Sequence, residues 1–281
     1  MGYDPHFITG IEIPLPTLGE RTRQVAFNDG APIEHTRFSI IFNQERGFAI
    51  ATAHNIDGTS IIPEGEIARR DRFRPDPSVP RELQVGNTRG YTHNPWDRGH
   101  LVRRRAMHWS DVEEATRADS ESFYWTNITP QHTKLHHSAW GKIEDWMLAL
   151  ADRDDQRVSV FTGPVLTPDD PEHQNTPTET PIRIPAGFWK ILSIKHLGSL
   201  RAAGFLVWQR DFDKPTPAEF DPLLEQVRIT TIEFLTGLSF GSLRDADPLH
   251  FGAEGKAERA AGIWEAPKRA AVVTSVRDIV L

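Results

Sequence analysis

The amino-acid sequence predicts an α+β protein in which a central antiparallel sheet is flanked by helices. Two observations lead to this prediction. Short β-forming segments recur in pairs around turn-like residues, and segments with apolar residues at helical spacing lie between them. The 281 residues are 38% hydrophobic and 25% charged, a composition that supplies a substantial apolar core. We find no internal repeat and no linker in the sequence, and we therefore expect a single domain over residues 1–281.

The N-terminal part of the chain predicts an extended arm followed by a hairpin. Residues 5–20 are rich in proline and short apolar pairs, which is typical of an extended arm or an edge strand. Residues 38–42 and 48–53 are rich in β-forming residues, and residues 43–47 between them have the composition of a loop. We therefore expect two adjacent central strands here.

Residues 57–96 are rich in Gly, Pro, Asp and Arg and show neither helical nor strand periodicity. Long irregular segments in compact domains are often functional. An arginine cluster around Phe73 has two interpretations, a solvated loop or a phosphate-binding site, because the guanidinium fork matches phosphate oxygens. The cluster consists of Arg69, Arg70, Arg72 and Arg74.

Two helices are predicted in the middle of the chain. The first is the polar segment around residues 110–120. The second follows Ser138, a candidate N-terminal cap, and extends to about residue 150. Its apolar residues are spaced by three or four positions and so form one buried face; they are Trp140, Ile143, Met147 and Leu150. The aromatic residues 123–125, between the two helices, predict a buried strand.

The second half of the chain predicts three more strands. Residues 158–161 predict one strand, which we expect to end at residues 162–164. Residues 187–194 and 203–208 predict two paired strands that are joined near Gly198.

A further helix is predicted over residues 222–235, and Gly237 would end it. Residues 252–270 are rich in Ala, Glu and Lys, and we expect them to face solvent.

Composition excludes several kinds of site. The chain has no cysteine, which excludes disulfides, thiolate zinc sites and a cysteine nucleophile. We see no signal peptide and no long apolar run, so we expect no membrane segment and favour a cytoplasmic location. The formal net charge of −7 argues against a protein that coats nucleic acid, but not against a local basic groove.

The residues with the clearest chemical potential lie in residues 94–150. Arg98 and His100 belong to an Asp-Arg-Gly-His motif, Asn127 to Thr-Asn-Ile-Thr-Pro-Gln, and Glu144 to Ala-Trp-x-x-x-Glu. Imidazole can take a proton from water near neutral pH, so His100 is a candidate general base. A lone histidine is usually structural, and an isolated Asp-Arg-Gly-His motif is short enough to occur by chance. The combination of the three motifs is far more specific.

These motifs resemble those of the DNA/RNA non-specific endonuclease family of the ββα-metal superfamily, which includes endonuclease G. Residues 42–58, 160–165 and 184–190 also look like family segments. The resemblance covers most of residues 5–245 and is weakest in the C-terminal tail from about residue 245. It implies a ββα-metal catalytic motif at residues 94–150 and metal-dependent hydrolysis of phosphodiester bonds in DNA, with RNA left open.

The resemblance also implies roles for individual residues. His100 matches the general base, and Arg98 matches an arginine near the scissile phosphate. Asn127 matches an asparagine that supports the active-site geometry and contacts the substrate region. Glu144 matches a glutamate that holds metal-bound waters. Arg103, next to the motif in a run of three arginines, is a candidate phosphate contact as well as a candidate solvated charge.

Two positions depart from the family pattern. The family places an asparagine, the direct protein ligand of Mg²⁺, where this chain has His136. We expect a divalent metal, Mg²⁺ or Mn²⁺, and an imidazole ligand favours Mn²⁺, Ni²⁺, Co²⁺ or Zn²⁺ over Mg²⁺. A weakened site, or one in which His137 or a neighbour replaces His136, is the alternative. Asp71 stands where the family has an arginine, which leaves Arg72 or Arg70 as the candidate phosphate ligand.

Other interpretations compete with a nuclease. His132, His136 and His137 suggest a zinc cluster, but Pro130 and the lack of an intervening glutamate argue against a metalloprotease site. A nuclease fold that has lost its metal would bind nucleic acid or a protein partner without cleaving. An effector domain that acts only with a regulator is a third alternative. A homodimer and a regulatory partner are both compatible with the sequence.

Overall fold

The computed structural model describes residues 1–135, 140–154, 156–209, 223–250 and 271–281. The strands in this part of the chain are β1 (Thr17–Leu18), β2 (Ile33–His35), β3 (Phe38–Asn43), β4 (Phe48–Asp57), β5 (Trp96–His100), β6 (Ile128–His132), β7 (Arg157–Val165), β8 (Glu172–His173), β9 (Ile182–Arg183), β10 (Gly187–His196), β11 (Ser199–Trp208), β12 (Leu224–Val227), β13 (Leu238–Ser239) and β14 (Ala271–Val272). The α-helices are α1 (Glu20–Gln24), α2 (Asn87–Gly90), α3 (Val112–Glu121), α4 (Thr133–Leu135), α5 (Gly141–Arg153), α6 (Ile229–Thr236) and α7 (Ser242–Asp245).

Eight of these strands form one sheet in the order β14-β12-β11-β10-β7-β4-β3-β2. Every neighbouring pair in it is antiparallel. The predicted fold class, an antiparallel sheet with helices around it, is confirmed. No helix among the described residues is long and apolar enough to cross a membrane.

The central strands of the sheet carry apolar side chains on both faces. One face packs against α5, whose Ile143, Met147 and Leu150 are buried as the spacing predicts. The other face packs against α6 and α7 and the N-terminal arm. Burial on both sides explains why these strands are nearly continuous apolar runs in the sequence.

The hairpin and the second strand pair are confirmed, but some strands are longer than predicted. β4 continues to Asp57, beyond the predicted end of the return strand. β7 does not end at residues 162–164 but continues to Val165. Beyond Thr162 this strand pairs with β10 and no longer with β4, so Pro164 lies where a missing backbone N–H costs least.

The helix predicted over residues 222–235 is wrong in its first half. Within the described residues, Leu224–Val227 form β12, and the helix itself, α6, begins only at Ile229. Pairing of β12 with β11 overrides the apolar spacing that predicted a helix. Gly237 ends α6 as predicted, with a left-handed φ of 67°.

The aromatic residues 123–125 are not a strand. Phe123 is buried in a turn after α3, and Trp125 begins a 3-10 helix, Trp125–Asn127. A single bridge between Arg74 and Tyr124 is the one strand-like contact of this segment among the described residues. Instead, Trp125 stacks on Phe73 and Phe123 meets the same ring edge to face, which are contacts between distant parts of the chain.

The segment predicted to be catalytic forms two antiparallel strands followed by a helix. β5 pairs with β6, so that His100 lies opposite Ile128, and α5 follows with Glu144 in its first turn. The residue expected to cap this helix, Ser138, lies outside the described residues, as do residues 252–270. β14 pairs with β12, so residues 271–272 add a short strand at the edge of the same sheet.

Candidate active site

A cavity of about 820 Å³ opens between β5, the start of α5 and the loop around Phe73. Among the described residues, six arginine or lysine side chains and five carboxylates line it, together with His100. The local balance is therefore positive, although the chain as a whole has a net charge of −7. A concave site of this size with convergent polar groups is typical of a ligand site.

Arg98 and His100 reach the cavity because they are two residues apart on β5. Alternate residues of a strand share one face, so the Arg-x-His spacing directs both side chains to the same side. Gly99 between them packs against the buried side chain of Gln131, where a Cβ atom would overlap. The glycine of the motif is therefore required by close packing.

The imidazole of His100 is held by two aromatic rings. Its centroid lies 5.6 Å from that of Phe73 and 5.0 Å from that of Phe123, edge to face with the latter. Phe73 also lies under the guanidinium of Arg98 and stacks on Trp125. Aromatic packing thus restricts the rotation of the imidazole while one side of it faces the cavity.

Asn127 is fully buried and does not line the cavity. Its Oδ1 accepts from the backbone N–H of Val102, and its Nδ2 donates to the carbonyl oxygens of Val102 and Ser122. These bonds tie the chain after β5 to the chain before β6. Asn127 therefore lies behind the cavity, between the residues that follow β5 and those that precede β6.

Glu144 lies on the wall of the cavity with its carboxylate between two cations. Oε1 is 3.0 Å from Nζ of Lys190, and Oε2 is 3.7 Å from Nε of Arg103. Its side chain is 10% exposed, which is enough to contact a water or an ion in the cavity. Arg103 also donates to the Asp145 carboxylate at 2.6 Å and lines the cavity itself.

Of the two remaining predicted site residues, one lies away from the cavity and the other is not described by the structure. Arg72 is exposed and is not among the lining residues, whereas Arg69 from the same cluster is. His136, the expected metal ligand, lies outside the described residues, together with His137. The sequence pattern alone therefore supports the assignment of His136.

The described side chains can be tested for their fit to a metal. They contain no group of three or more His, Asp or Glu residues arranged to hold an ion. A site with few direct protein ligands needs no such group, because Mg²⁺ and similar ions keep several waters. The carboxylate of Glu144 at the cavity wall is a donor that suits such waters. The residues present therefore fit a hydrated dication.

Lys190, which contacts Glu144 from behind the cavity wall, is a residue to which the sequence analysis gave no role. It is 1% exposed, in the middle of the apolar strand β10, and its ammonium contacts Glu144. Burial lowers the pKa of Lys190, and the carboxylate of Glu144 acts in the opposite direction. The available signal was a charged residue inside an apolar run, since such a residue is rarely buried without a partner.

The sequence and the fold were compared with those of known proteins. The model of the DNA/RNA non-specific endonuclease family matches residues 20–247. The chain is 31% identical to the uncharacterized protein y4fB of Sinorhizobium fredii over an alignment of 300 residues, which covers 95% of this chain and 43% of that protein. It is 30% identical to mitochondrial endonuclease G of Homo sapiens over 177 residues, 60% of this chain and 55% of the relative.

A nuclease of Serratia marcescens is 35% identical over 124 residues, 43% of this chain and 44% of the relative. The chain thus spans about half of the length of the relatives it matches. A chain in the crystal structure of the EndoG/EndoGI complex has a similar fold, with a TM-score of 0.58 and 18% identity over 75% of this chain and 86% of that one.

The family match begins at α1, includes the whole of the β5-β6-α5 segment that carries Arg98, His100 and Glu144, and ends just beyond α7. It confirms the resemblance inferred from the motifs. The chain therefore belongs to the DNA/RNA non-specific endonuclease family.

Proposed function

We propose that the protein is a metal-dependent endonuclease that hydrolyses phosphodiester bonds in DNA, with RNA as a second substrate. The observation that carries the proposal is that Arg98, His100 and Glu144 line one cavity. Each supplies a different requirement of the reaction, namely a cation for the phosphate, a base for water and a carboxylate for a hydrated metal.

In the proposed reaction His100 takes a proton from a water molecule as its oxygen attacks phosphorus. The bond from phosphorus to the 3′ oxygen breaks on the opposite side, the leaving oxygen takes a proton from solvent, and His100 then returns its own proton to solvent. Arg98, exposed at the cavity, neutralises part of the negative charge that develops on the phosphate oxygens. Packing of Phe73 and Phe123 on the imidazole keeps the base in one orientation, which lowers the entropic cost of the step.

His136 and Glu144 are the residues that would hold the divalent ion, His136 directly and Glu144 through water. When bound, such an ion neutralises charge on the phosphate and helps the leaving oxygen to depart. The imidazole of His136 favours Mn²⁺, Ni²⁺, Co²⁺ or Zn²⁺ over Mg²⁺.

We expect weak sequence preference. The cations that line the cavity, among them Arg69, Arg103 and Lys142, are suited to phosphate oxygens rather than to base edges. Phosphate contacts position a nucleic acid without reading its sequence. A nucleic-acid substrate is also what membership of this family implies.

A protein inhibitor is a candidate regulatory partner. The structure with a similar fold is that of the EndoG/EndoGI complex, described as the mechanism of EndoG inhibition. An inhibitor that covers the cavity would act on the same residues that the substrate needs. Loss of cleavage when such a protein is added, with recovery at high substrate concentration, is the expected result.

Cleavage of supercoiled plasmid DNA by the purified protein, with a panel of divalent metals, tests the proposal. We expect metal-stimulated nicking that His100→Ala reduces by a factor on the order of 10² to 10⁴, the range typical of a lost general base. His196→Ala, an exposed histidine that does not line the cavity, is the matched control and should cleave normally. Binding of DNA without cleavage under every metal would instead indicate a nuclease fold that serves as a binding module.

A further inference from the structure

Lys190 contacts both segments that carry the candidate site, namely the helix with Glu144 and the chain that follows His100. Its ammonium lies 3.0 Å from Oε1 of Glu144 on α5. It also donates to the carbonyl oxygen of Leu101 at 3.5 Å, and Leu101 directly follows the candidate base His100. One buried charge therefore contacts both the helix that carries the carboxylate and the chain that carries the base.

The surroundings of Lys190 are shaped to hold an ammonium in one place. The hydroxyl of Thr162, on the neighbouring strand β7, accepts from Nζ at 3.1 Å. The ring of Trp140 lies 4.5 Å from Nζ, a cation-π distance. Thr162 and the aliphatic part of Lys190 are both fully buried, so the side chain has no alternative position in solvent.

Stability alone does not explain this ion pair. Removing two charges from water is costly, and apolar residues of similar volume in place of a buried pair are often neutral or stabilising. A lysine in the centre of β10 thus costs more desolvation free energy than an apolar residue of the same size would. Its carboxylate partner is the one that also faces the cavity.

Arg103 does not make Lys190 redundant. Its Nε lies 3.7 Å from Oε2 of Glu144, while its Nη2 donates to Asp145 at 2.6 Å. Asp145 is exposed, and the Arg103 side chain is 28% exposed, so both are screened by solvent and salt. The Lys190 contact is dry and is therefore the one that fixes the carboxylate.

We propose that Lys190 is a positioning residue for the phosphodiester reaction, whose buried ammonium fixes the Glu144 carboxylate at the cavity wall and thereby sets the affinity of the site for a divalent cation. The inference rests on the proposed function. It assigns to Lys190 no contact with the substrate.

Isothermal titration with Mn²⁺ in the absence of nucleic acid tests this inference without using activity. We compare the wild type, Lys190→Met, Glu144→Gln and the double variant K190M/E144Q. Leu192→Ala is the matched control, because Leu192 is fully buried on the same face of the same strand but does not line the cavity. The void that this substitution leaves in the core destabilises the fold without changing any contact of Glu144. Urea unfolding of each variant verifies that the measured proteins are folded.

We expect Lys190→Met to weaken Mn²⁺ binding by about 10- to 100-fold, as changes behind a metal site do. Leu192→Ala should bind as the wild type does, and K190M/E144Q should bind as Glu144→Gln does. If Lys190→Met does not fold, Lys190→Arg takes its place in the same comparison, because arginine keeps a positive charge beside Glu144 but is too large to occupy the buried Lys190 position unchanged.

The inference is overturned if folded Lys190→Met binds Mn²⁺ as tightly as the wild type, or if the Lys190 change weakens binding equally with and without Glu144. Its failure is distinct from that of the proposed function. A wild type that binds Mn²⁺ with the expected dependence on Lys190 and yet never cleaves plasmid DNA would reject the nuclease alone. A wild type that cleaves while Lys190→Met binds Mn²⁺ normally would reject the role of Lys190 alone.

Discussion

The guanidinium of Arg98 lies 4.9 Å from the centroid of the Phe73 ring. The same ring packs against the imidazole of His100 and stacks on Trp125. A single partly buried phenylalanine, from the irregular loop before β5, thus orients two side chains of the candidate site. This relationship explains how an exposed arginine on a strand can have a defined direction.

Replacement of Phe73 by alanine should therefore impair the reaction more than it impairs folding. We expect kcat for plasmid cleavage to fall by roughly 10- to 100-fold, since small displacements of catalytic groups have effects of this size. Phe7→Ala is a matched control, because Phe7 also lies under an arginine, Arg157, but far from the cavity lining. Normal kcat in folded Phe73→Ala would show that the ring does not orient Arg98 and His100.

The glycine of the Asp-Arg-Gly-His motif should tolerate no side chain while the Gln131 side chain packs against it. A Cβ atom at Gly99 would overlap the buried Gln131 side chain, so Gly99→Ala should cost about 1–3 kcal/mol of unfolding free energy. It should also displace His100, the next residue, and reduce cleavage. Gly86→Ala is the control, since its Cβ would come no closer than 3.7 Å to Trp125.

A second substitution makes the origin of this effect measurable. The amide atoms of Gln131 have no hydrogen-bond partner among the described residues, so truncating this side chain removes bulk rather than bonds. G99A/Q131A should regain stability relative to Gly99→Ala in urea unfolding. A double variant less stable than Gly99→Ala would contradict the steric explanation.

His54 should make stability depend on pH below neutrality. Burial, with a smaller contribution from the Lys190 ammonium, lowers the pKa of His54 from 6.5 to about 3. Between these two values the unfolded chain binds a proton that the folded protein does not, so stability falls as the pH falls below 6.5. At pH 5 the loss is on the order of 2 kcal/mol relative to neutral pH.

Urea unfolding of the wild type and His54→Leu at pH 5 and pH 7.5 measures how much His54 contributes to the pH dependence of the unfolding free energy. Leucine is suitable because Nδ1 of His54 has no hydrogen-bond partner among the described residues. The wild type should lose about 2 kcal/mol more than the variant between the two pH values. Equal losses would mean that His54 is protonated in the folded protein.

Local patterns predicted the parts of the fold that depend on neighbouring residues. The hairpin β3-β4 and the buried face of α5 follow from periods of two and of three to four residues. The strand β12 was predicted to be helical because its pairing with β11 is not visible in local spacing. Residues 123–125 were predicted to be a strand because aromatic residues favour strands. In the structure Phe123 and Trp125 pack on the distant Phe73 instead.

The same distinction applies to the candidate site. Arg98 and His100 follow from a local motif, and the motif combination adds Glu144. The contact of Lys190 with Glu144 depends on the packing of β10 against α5, which sequence spacing does not show. Arg72 was preferred over Arg69 by its register relative to the family pattern, yet Arg69 is the one that lines the cavity. Loop conformation, rather than sequence position, decides which arginine lines the cavity.

His136, one of the two positions where the motifs depart from the family pattern, gives the last prediction. His136→Asn restores the family's amide oxygen, and Mg²⁺ prefers oxygen whereas imidazole suits borderline metals. The concentration of Mg²⁺ that gives half-maximal cleavage should therefore fall, on the order of tenfold, while the advantage of Mn²⁺, Co²⁺ or Ni²⁺ shrinks. His137→Asn is the matched control, because the adjacent histidine is the alternative ligand. A metal profile changed by His137→Asn and not by His136→Asn would assign the ligand to His137, and profiles unchanged in both variants would exclude an imidazole ligand from either position.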